Sequence, residues 1–179
     1  MDGRSDEELV AAINAGDAAA FEVLYRRHRD WVVNLAFRFT GDRELALDVL
    51  QETFLYFLKK FPGFTLTARL QTFLYPAVKN LSIGAQRKAR RLESNEPAVA
   101  NVPAPEPAVE GASAREELAA ALATLSEEHR EVLLLRFVDD LSLNEIAGAL
   151  EVPLGTVKSR LHHALGALRR DSRTKKWFG

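Results

Sequence analysis

The chain has 179 residues, of which 47% are hydrophobic, and its formal net charge at pH 7 is -1. This size and composition allow one large domain or two small ones with hydrophobic cores. The absence of cysteine excludes disulfides, thiolate metal sites and thiol catalysis. No run of about 18 apolar residues and no signal-peptide pattern occurs, so we expect no membrane insertion and a cytoplasmic location.

The basic residues are concentrated in two places, although the net charge is close to zero. One group lies at residues 87–91 and the other at residues 158–176, with an acid-rich segment at residues 93–117 between them. Binding to nucleic acid depends on the local distribution of charge rather than on its sum. The sequence therefore permits contacts with DNA at two places.

The first 92 residues show helical patterns throughout. Ser5 and Glu8 form a capping box that opens a short helix, and Asp17 caps a second helix that continues to Gly41 with apolar residues at spacings of three and four. His28 lies on that apolar stripe. We expect it to be a core or boundary histidine, because no second metal ligand lies one turn away.

The third predicted helix extends from Asp42 to about Phe61 and has two different faces. Its buried face is expected to contain Leu47, Leu50, Phe54, Phe57 or Leu58, and Phe61. Its other face carries Asp48, Gln51, Glu52, Leu55 and Lys59. From the spacing alone, this face is interpreted either as a surface exposed to solvent or as a surface that binds a partner. Catalysis by the acidic pair is disfavoured, since no nucleophile, metal-ligand set or phosphate loop accompanies it, and we expect no enzyme activity, metal or cofactor.

A fourth helical pattern begins at Thr67, and its apolar residues are Leu70, Phe73, Leu74, Ala77 or Val78, and Leu81. Pro76 removes a backbone donor, so we expect the helix to kink or restart there. A polar, cationic surface follows the proline and contains Lys79, Asn80, Ser82, Gln86, Arg87, Lys88, Arg90 and Arg91. It is interpreted either as a basic helix end favoured by the helix dipole or as a track for nucleic acid.

Residues 93–112 are rich in proline, alanine and glutamate and show no periodicity. This composition predicts a flexible linker between a domain of residues 1–92 and a domain of residues 113–179. Strand alternation of useful length is absent from the sequence. The expected fold class is therefore all-α, with two small helical domains joined by a flexible linker.

The second domain contains two short helical patterns separated by a tight turn. Ser142 and Glu145 form a capping box for the first, and residues 151–153 form the turn. This arrangement predicts a helix-turn-helix. The outward arc of the second helix offers groups that can contact phosphates and base edges, namely Gly155, Thr156, Lys158, Ser159, Arg160, His162 and His163. A metal pair of the two histidines is disfavoured, because adjacent helical residues point about 100° apart.

Three segments of the chain resemble bacterial RNA polymerase sigma factors of the extracytoplasmic-function (ECF) type. They are DVLQETFLYFLKKFPGF at residues 48–64, TFLYPAVKNLSIGAQRKARR at residues 72–91, and LSEEHREVLLLRFVDDLSLNEIAGALEVPLGTVKSRLHHAL at residues 125–165. The resemblance covers nearly the whole chain outside the linker. It implies a transcription initiation factor that binds core RNA polymerase and directs it to promoters.

The resemblance also implies a role for each surface. The face of Asp48, Gln51 and Glu52 resembles the docking surface for the coiled coil of the polymerase's largest subunit. Residues 64–91 are similar to the part that binds and helps melt the minus-ten element, and the helix from Gly155 resembles the reader of the minus-thirty-five element. The polymerase flap and an anti-sigma factor are further implied partners.

The chain departs from the family pattern at a few positions. Phe73 and Pro76 stand where a tryptophan and a polar residue are usual, and the loop after Phe64 lacks the usual glycine. Glu151 occupies a turn position that often has glycine, so we expect a left-handed conformation there at a cost of about 1–2 kcal/mol. Asp140 is expected to adopt the same left-handed conformation at a lower cost, because aspartate tolerates that region better.

The residues by themselves leave a second function open. A stand-alone helix-turn-helix repressor or activator, with an N-terminal domain for sensing or dimerisation, would also combine a helical domain with a DNA reader. A DNA-processing enzyme is remote, because residues 1–91 contain no nucleophile accompanied by catalytic arginines.

Overall fold

The computed structural model describes residues 2–93 and 113–178, and every regular element in these ranges is helical. The chain divides into two compact units, residues 1–99 and residues 100–179. The expected all-α fold class is confirmed over the described residues. The predicted linker falls outside them, apart from Glu93 at the end of a helix.

The first unit contains four helices, which are α1 (Asp6–Asn14), α2 (Ala18–Thr40), α3 (Arg43–Leu58) and α4 (Leu70–Glu93). Ser5 and Glu8 form the predicted capping box. Asp17 and Asp42 each accept hydrogen bonds from two backbone N–H groups of the following turn. Gly41 ends α2 with a φ of 67°. These three helix starts are confirmed, since a short polar side chain satisfies N–H groups that the helix leaves unpaired.

The core of the first unit forms where α2 packs against α1, α3 and α4. Leu24 and Val32 are fully buried on α2, and burial of such a side chain contributes about 1.5–3 kcal/mol. His28 is also buried, and its Nε2 lies 2.7 Å from an Asp6 carboxylate oxygen. The interpretation of His28 as a core or boundary histidine is confirmed.

The buried face of α3 differs from the expected one, and the helix ends at Leu58 rather than at Phe61. Leu47 and Leu58, both considered for the core, are 42% and 40% exposed. The residues that are buried are Ala46, Val49, Leu50, Thr53, Phe54 and Phe57. Leu50, Phe54 and Phe57 are buried as expected, but the expectation was wrong for Leu47, because α3 packs against both α2 and α4 through a face that includes the small side chains of Ala46 and Thr53.

Helix α4 begins at Leu70 rather than at Thr67 and continues through Pro76 to Glu93. Of the two expected outcomes at the proline, a kink or a restart of the helix, the restart is wrong. Leu74 and Tyr75 before the proline and Val78 after it are buried, and tertiary packing commonly outweighs local propensity. Ser82 was expected on the polar surface but is fully buried.

The second unit contains α5 (Ala114–Ala123), α6 (Glu127–Phe137), α7 (Leu143–Leu150), α8 (Leu154–Arg170) and a short 3-10 turn, Lys175–Trp177. Capping boxes open α5 and α7, and Ser126 caps α6. A core of Ala121, Leu125, Leu133, Ala164 and Leu168 joins α5, α6 and α8. Helices α7 and α8, with the turn between them, form the predicted helix-turn-helix.

Two turn residues of the second unit adopt the left-handed conformation that the sequence predicts. Glu151 ends α7 with φ 54° and ψ 40°, and Asp140 has a φ of 52°. Backbone strain of this kind disfavours every residue except glycine, although asparagine and aspartate tolerate it better than others. The turn geometry of the helix-turn-helix is thus retained without its usual glycine.

Candidate functional site

One side of α3 is exposed along its whole length and combines acidic with apolar residues. Asp48, Gln51, Glu52 and Lys59 are exposed, and Leu55 is 57% exposed. The spacing of four, four and three residues places Leu47, Gln51, Leu55 and Leu58 along one line of the helix surface. Three leucines on one exposed line are more than the scattered single apolar residues of an ordinary surface. Sequence reasoning missed this stripe because it assigned two of the leucines to the core.

A groove of about 460 Å³ separates α3 from α4. Asp48 and Glu52 line it from α3, while Asn80 and Lys88 line it from α4, and its other walls are mostly apolar. The structure therefore brings together residues that the sequence assigned to two different partners. Acidic and basic side chains on opposite walls give the groove a charge gradient across its width.

The last two turns of α4 carry an exposed cationic cluster. Arg87, Lys88, Arg90 and Arg91 are all exposed there, where the helix dipole favours positive charge. A second cleft of about 310 Å³ is lined by Arg87, Lys88 and Arg91 together with Gly84 and Leu92. Guanidinium and ammonium groups in such a cleft suit the binding of phosphate oxygens.

The two other predicted members of the α4 surface lie nearer its middle. Asn80 is exposed, and Lys79 is half-buried. Gln86 donates a hydrogen bond to the Phe39 carbonyl at 3.3 Å, which ties this part of α4 to α2. The polar surface of α4 is therefore held in place by the bundle rather than projecting from it.

Residues 59–69 connect α3 to α4 and pass over an aromatic cluster. The ring centroid of Phe64 lies 4.7 Å from that of Phe73, 5.4 Å from that of Phe57 and 5.7 Å from that of Phe61. Aromatic pairs at such distances are favourable in edge-on or tilted arrangements. The rings of Phe61 and Phe64 thus hold the first part of the connection to the bundle, whereas Thr65, Thr67, Ala68 and Arg69 are exposed.

Helix α8 presents most of its predicted contact residues on one exposed arc. Gly155, Lys158, Ser159, His162 and His163 are exposed, and Thr156 is half-buried. The opposite side of the helix carries the buried residues Val157, Ala164 and Leu168. This division leaves polar and cationic groups available to DNA while the apolar stripe holds the helix in the unit.

Arg160 differs from the other predicted contacts of α8. One of its guanidinium nitrogens lies 2.9 Å from a carboxylate oxygen of Glu128 on α6, and its side chain is only 19% exposed. The ion pair therefore links the reading helix to the helix that supports it. In this conformation Arg160 lies at the edge of the exposed arc and not at its centre.

The N-terminus of α8 lacks the side-chain cap that α5, α6 and α7 possess. Its N-cap is Pro153, no side chain accepts from the first turn, and that turn contains no acid. Free N–H groups and the positive end of the dipole suit a phosphate at this position. The exposed Gly155 adds no bulk there, with no heavy atom within 4 Å of the place where its Cβ would lie.

Two exposed residues at the end of α6 were not identified from the sequence. Phe137 is 60% exposed and Val138 is 64% exposed. The only sequence signal was an apolar pair directly before the acids Asp139 and Asp140, which mark the end of a helix. These two side chains give the second unit an apolar surface feature of its own.

Residues 2–93 and 113–178 contain no group of three or more histidine, cysteine or acidic residues that could hold a metal ion. His163 lies near both His129 and His162, with ring centroids 5.8 Å apart in each case. Among the helices described, none is long and apolar enough to cross a membrane.

Comparison with known families and solved structures connects both units to transcription. Residues 24–92 match Sigma-70 region 2, and residues 121–170 match Sigma-70 region 4. The fold is similar to that of CnrH in complex with the cytosolic domain of CnrY, with a TM-score of 0.65 and 23% identity over 90% of this chain and 93% of that one. It is also similar to the sigma factor RpoE of Bartonella quintana in complex with the anti-sigma factor NepR, with a TM-score of 0.59 and 22% identity over 83% and 94% of the two chains.

Relatives of known function match over nearly their full lengths. The ECF RNA polymerase sigma factor SigL of Mycobacterium tuberculosis is 35% identical over 164 residues, which are 89% of this chain and 93% of SigL. The ECF RNA polymerase sigma factor SigW of Bacillus subtilis is 29% identical over 180 residues, which are 93% of this chain and 96% of SigW. The chain therefore belongs to the ECF RNA polymerase sigma factors, transcription initiation factors that direct RNA polymerase to promoters.

Proposed function

We propose that the two units contribute three separate contacts to one initiation complex. The exposed side of α3 docks on the coiled coil of the polymerase's largest subunit, the cationic surface of α4 binds the minus-ten element, and the exposed arc of α8 reads the minus-thirty-five element. Family membership supports the overall activity. The docking contact, which separates a polymerase-bound factor from a stand-alone DNA binder, rests chiefly on one observation, the line of exposed leucines beside Asp48 and Glu52 on α3.

The α3 surface suits a helical partner that is apolar at its centre and basic at its margin. Leu55 lies between the acidic positions and Lys59, and its burial by a partner would contribute about 1.5–3 kcal/mol. Asp48 and Glu52 would steer a basic partner towards the surface and fix its register. Gln51 adds hydrogen-bonding capacity on the same side of the helix.

The α4 surface suits single-stranded or distorted DNA. Arg87, Lys88, Arg90 and Arg91 supply phosphate contacts, whose contribution falls as salt concentration rises. Asn80 and Lys79 lie nearer the middle of α4 than these four residues, and they supply polar contacts to unstacked bases. Binding of this kind favours the open form of the promoter and so assists its melting.

The α8 surface suits the major groove of duplex DNA. Its uncapped N-terminus and Lys158 favour phosphates, whereas Thr156 and Ser159 present hydroxyls to base edges. His162 and His163 extend the polar arc along the helix. Arg160 contributes through its ion pair with Glu128, which supports the position of α8 against α6.

Further contacts with proteins are also part of the proposal. The exposed Phe137 and Val138 provide an apolar surface on which the polymerase flap can bind the second unit. An anti-sigma factor is proposed as a regulatory partner, and the similar fold of RpoE in complex with the anti-sigma factor NepR supports it. We place the protein in the cytoplasm, where RNA polymerase acts, and assign it no catalysis of its own.

Co-purification with core polymerase tests the docking contact. The variant Asp48→Arg with Glu52→Arg reverses two charges on α3 and is expected to reduce retention by about tenfold or more, since one lost charged contact changes affinity by that order. The matched control, Glu7→Arg with Glu22→Arg, makes the same change of net charge at exposed positions of α1 and α2. Equal retention of both variants, at unchanged helix content, would refute the assignment.

A further inference from the structure

The side chain of Asn14, at the end of α1, holds the connection between α3 and α4. Its Oδ1 accepts a hydrogen bond from the Gly63 N–H at 2.7 Å, and its Nδ2 donates one to the Phe64 carbonyl at 2.8 Å. Both functions of the amide are thus used on two adjacent residues that lie about fifty positions away in the sequence. A side chain that binds a donor and an acceptor together fixes the orientation of that backbone as well as its distance.

Helix α1 is itself a firm support for this contact. Leu9 is fully buried and Val10 is 3% exposed. Asp6 in the first turn of α1 lies 2.6 Å from a guanidinium nitrogen of Arg27 and 2.7 Å from the Nε2 of His28, both on α2. The position of Asn14 is therefore determined by the bundle, and Asn14 transmits that position to the connection.

The point of attachment lies where the connection changes character. Gly63 has a φ of 99°, which lies in the positive region that favours glycine, and the ring of Phe64 packs into the aromatic cluster. The residues that follow, from Thr65 to Arg69, are mostly exposed. Packing of one ring locates Phe64 but does not fix the peptide before it, so the amide of Asn14 supplies the missing constraint.

We propose that Asn14 is a positioning residue for recognition of the minus-ten element. By holding Gly63 and Phe64 it restricts residues 59–69 to one shape, and this shape determines how selectively the exposed residues and the start of α4 meet the DNA. The inference rests on the proposed role of residues 64–91 in minus-ten binding. Neither family membership nor any motif in the sequence assigns a role to Asn14.

Loss of the amide has a specific consequence. In Asn14→Ala the two backbone groups exchange their partner for water, and the connection gains access to other conformations. Binding to the correct minus-ten sequence then requires selection of one conformation from several, which lowers apparent affinity. In Asn14→Asp the acceptor for Gly63 remains, but the donor to the Phe64 carbonyl is lost, so this variant is expected to lie between alanine and the native residue or to equal alanine.

The experiment uses the full chain reconstituted with core polymerase. Transcription is measured from a preferred promoter, from promoters with single changes in the minus-ten element, and from promoters with single changes in the minus-thirty-five element. For Asn14→Ala we expect the preference for the correct minus-ten element to fall by about fivefold to 150-fold, the range that the net strength of two hydrogen bonds allows. The preference at the minus-thirty-five element should not change. Asn34→Ala, which alters an exposed asparagine of α2, is the matched control and should change neither.

The outcomes are distinguishable. An unchanged minus-ten preference in Asn14→Ala would overturn the inference, as would an equal loss at both elements, which would indicate general destabilisation. Native holoenzyme that ignores the minus-ten element altogether would refute both this inference and the proposed function. Hydrogen exchange of the Gly63 amide in the free protein gives a second measure, which should be faster in Asn14→Ala by about the same factor and unchanged in Asn34→Ala. An unchanged exchange rate of the Gly63 amide in Asn14→Ala would contradict the proposed role of Asn14.

Discussion

Replacement of Glu151 by glycine should stabilise the helix-turn-helix. Glu151 has φ 54° and ψ 40°, its side chain is exposed, and its N–H bonds the carbonyls of Ala147 and Gly148. Glycine keeps those bonds and removes a left-handed strain of about 1–2 kcal/mol. It also loses more backbone entropy on folding, which costs about 0.5–1 kcal/mol. The midpoints of these two ranges give an expected net gain of about 0.75 kcal/mol, or about 3–6 °C in the melting temperature of a unit of this size.

The change can be followed by tryptophan fluorescence in the full chain. The protein has two tryptophans, so a Trp31→Phe background leaves Trp177 as the fluorophore of the second unit. Gly41→Ala in the first unit, followed through Trp31 in a Trp177→Phe background, is the reciprocal control: its φ is 67° and no heavy atom lies within 4 Å of the new Cβ, so only backbone strain should lower stability. A melting temperature of Glu151→Gly equal to or below that of the parent would refute the strain argument.

Three other changes test separate contacts. Lys158→Ala should weaken promoter binding at the minus-thirty-five element and reduce the salt slope by about one unit, measured by holoenzyme titration at several salt concentrations. Arg160→Ala and Glu128→Ala, alone and combined, should give a coupling free energy of about 0.2–1 kcal/mol in urea unfolding, as expected for an ion pair near the surface; zero coupling would deny Arg160 its structural role. Burial alone would raise the pKa of Asp6, but His28 and the neighbouring arginine hold that pKa below its ordinary value of 3.8. The stabilisation this gives is present above pH 3.8 and is lost as the pH falls below it, so Asp6→Asn should be less stable than the native chain at neutral pH and the difference should shrink in acid denaturation.

The features that could be predicted from the sequence depend on residues close together in the chain. A capping box needs two residues three positions apart, and the boxes at Ser5 and Ser142 are both present. The left-handed conformation of Glu151 was expected because its turn position often has glycine in the family that the sequence resembles. Local hydrogen bonding and steric limits determine these features, so no knowledge of the tertiary fold was required.

The features that could not be predicted depend on which elements pack together. The apolar residues of α3 allow more than one buried face, and only contact with α2 and α4 selects the one that leaves Leu47 and Leu58 exposed. The link from Asn14 to Gly63 joins residues 49 positions apart. The ion pair that holds the Arg160 side chain against α6 requires Glu128 of another helix. The spacing of residues within a single helix does not indicate which residues of other helices they contact.

Transcription from a promoter library with both elements randomised tests the division of roles most directly. Holoenzyme is reconstituted with the native chain, with Arg87→Ala and Lys88→Ala combined, or with Lys158→Ala and Ser159→Ala combined. We predict that the α4 variant changes sequence preference or melting at the minus-ten element alone, and that the α8 variant changes preference at the minus-thirty-five element alone. Exchange of these effects between the variants, or unchanged preferences in both, would contradict the account.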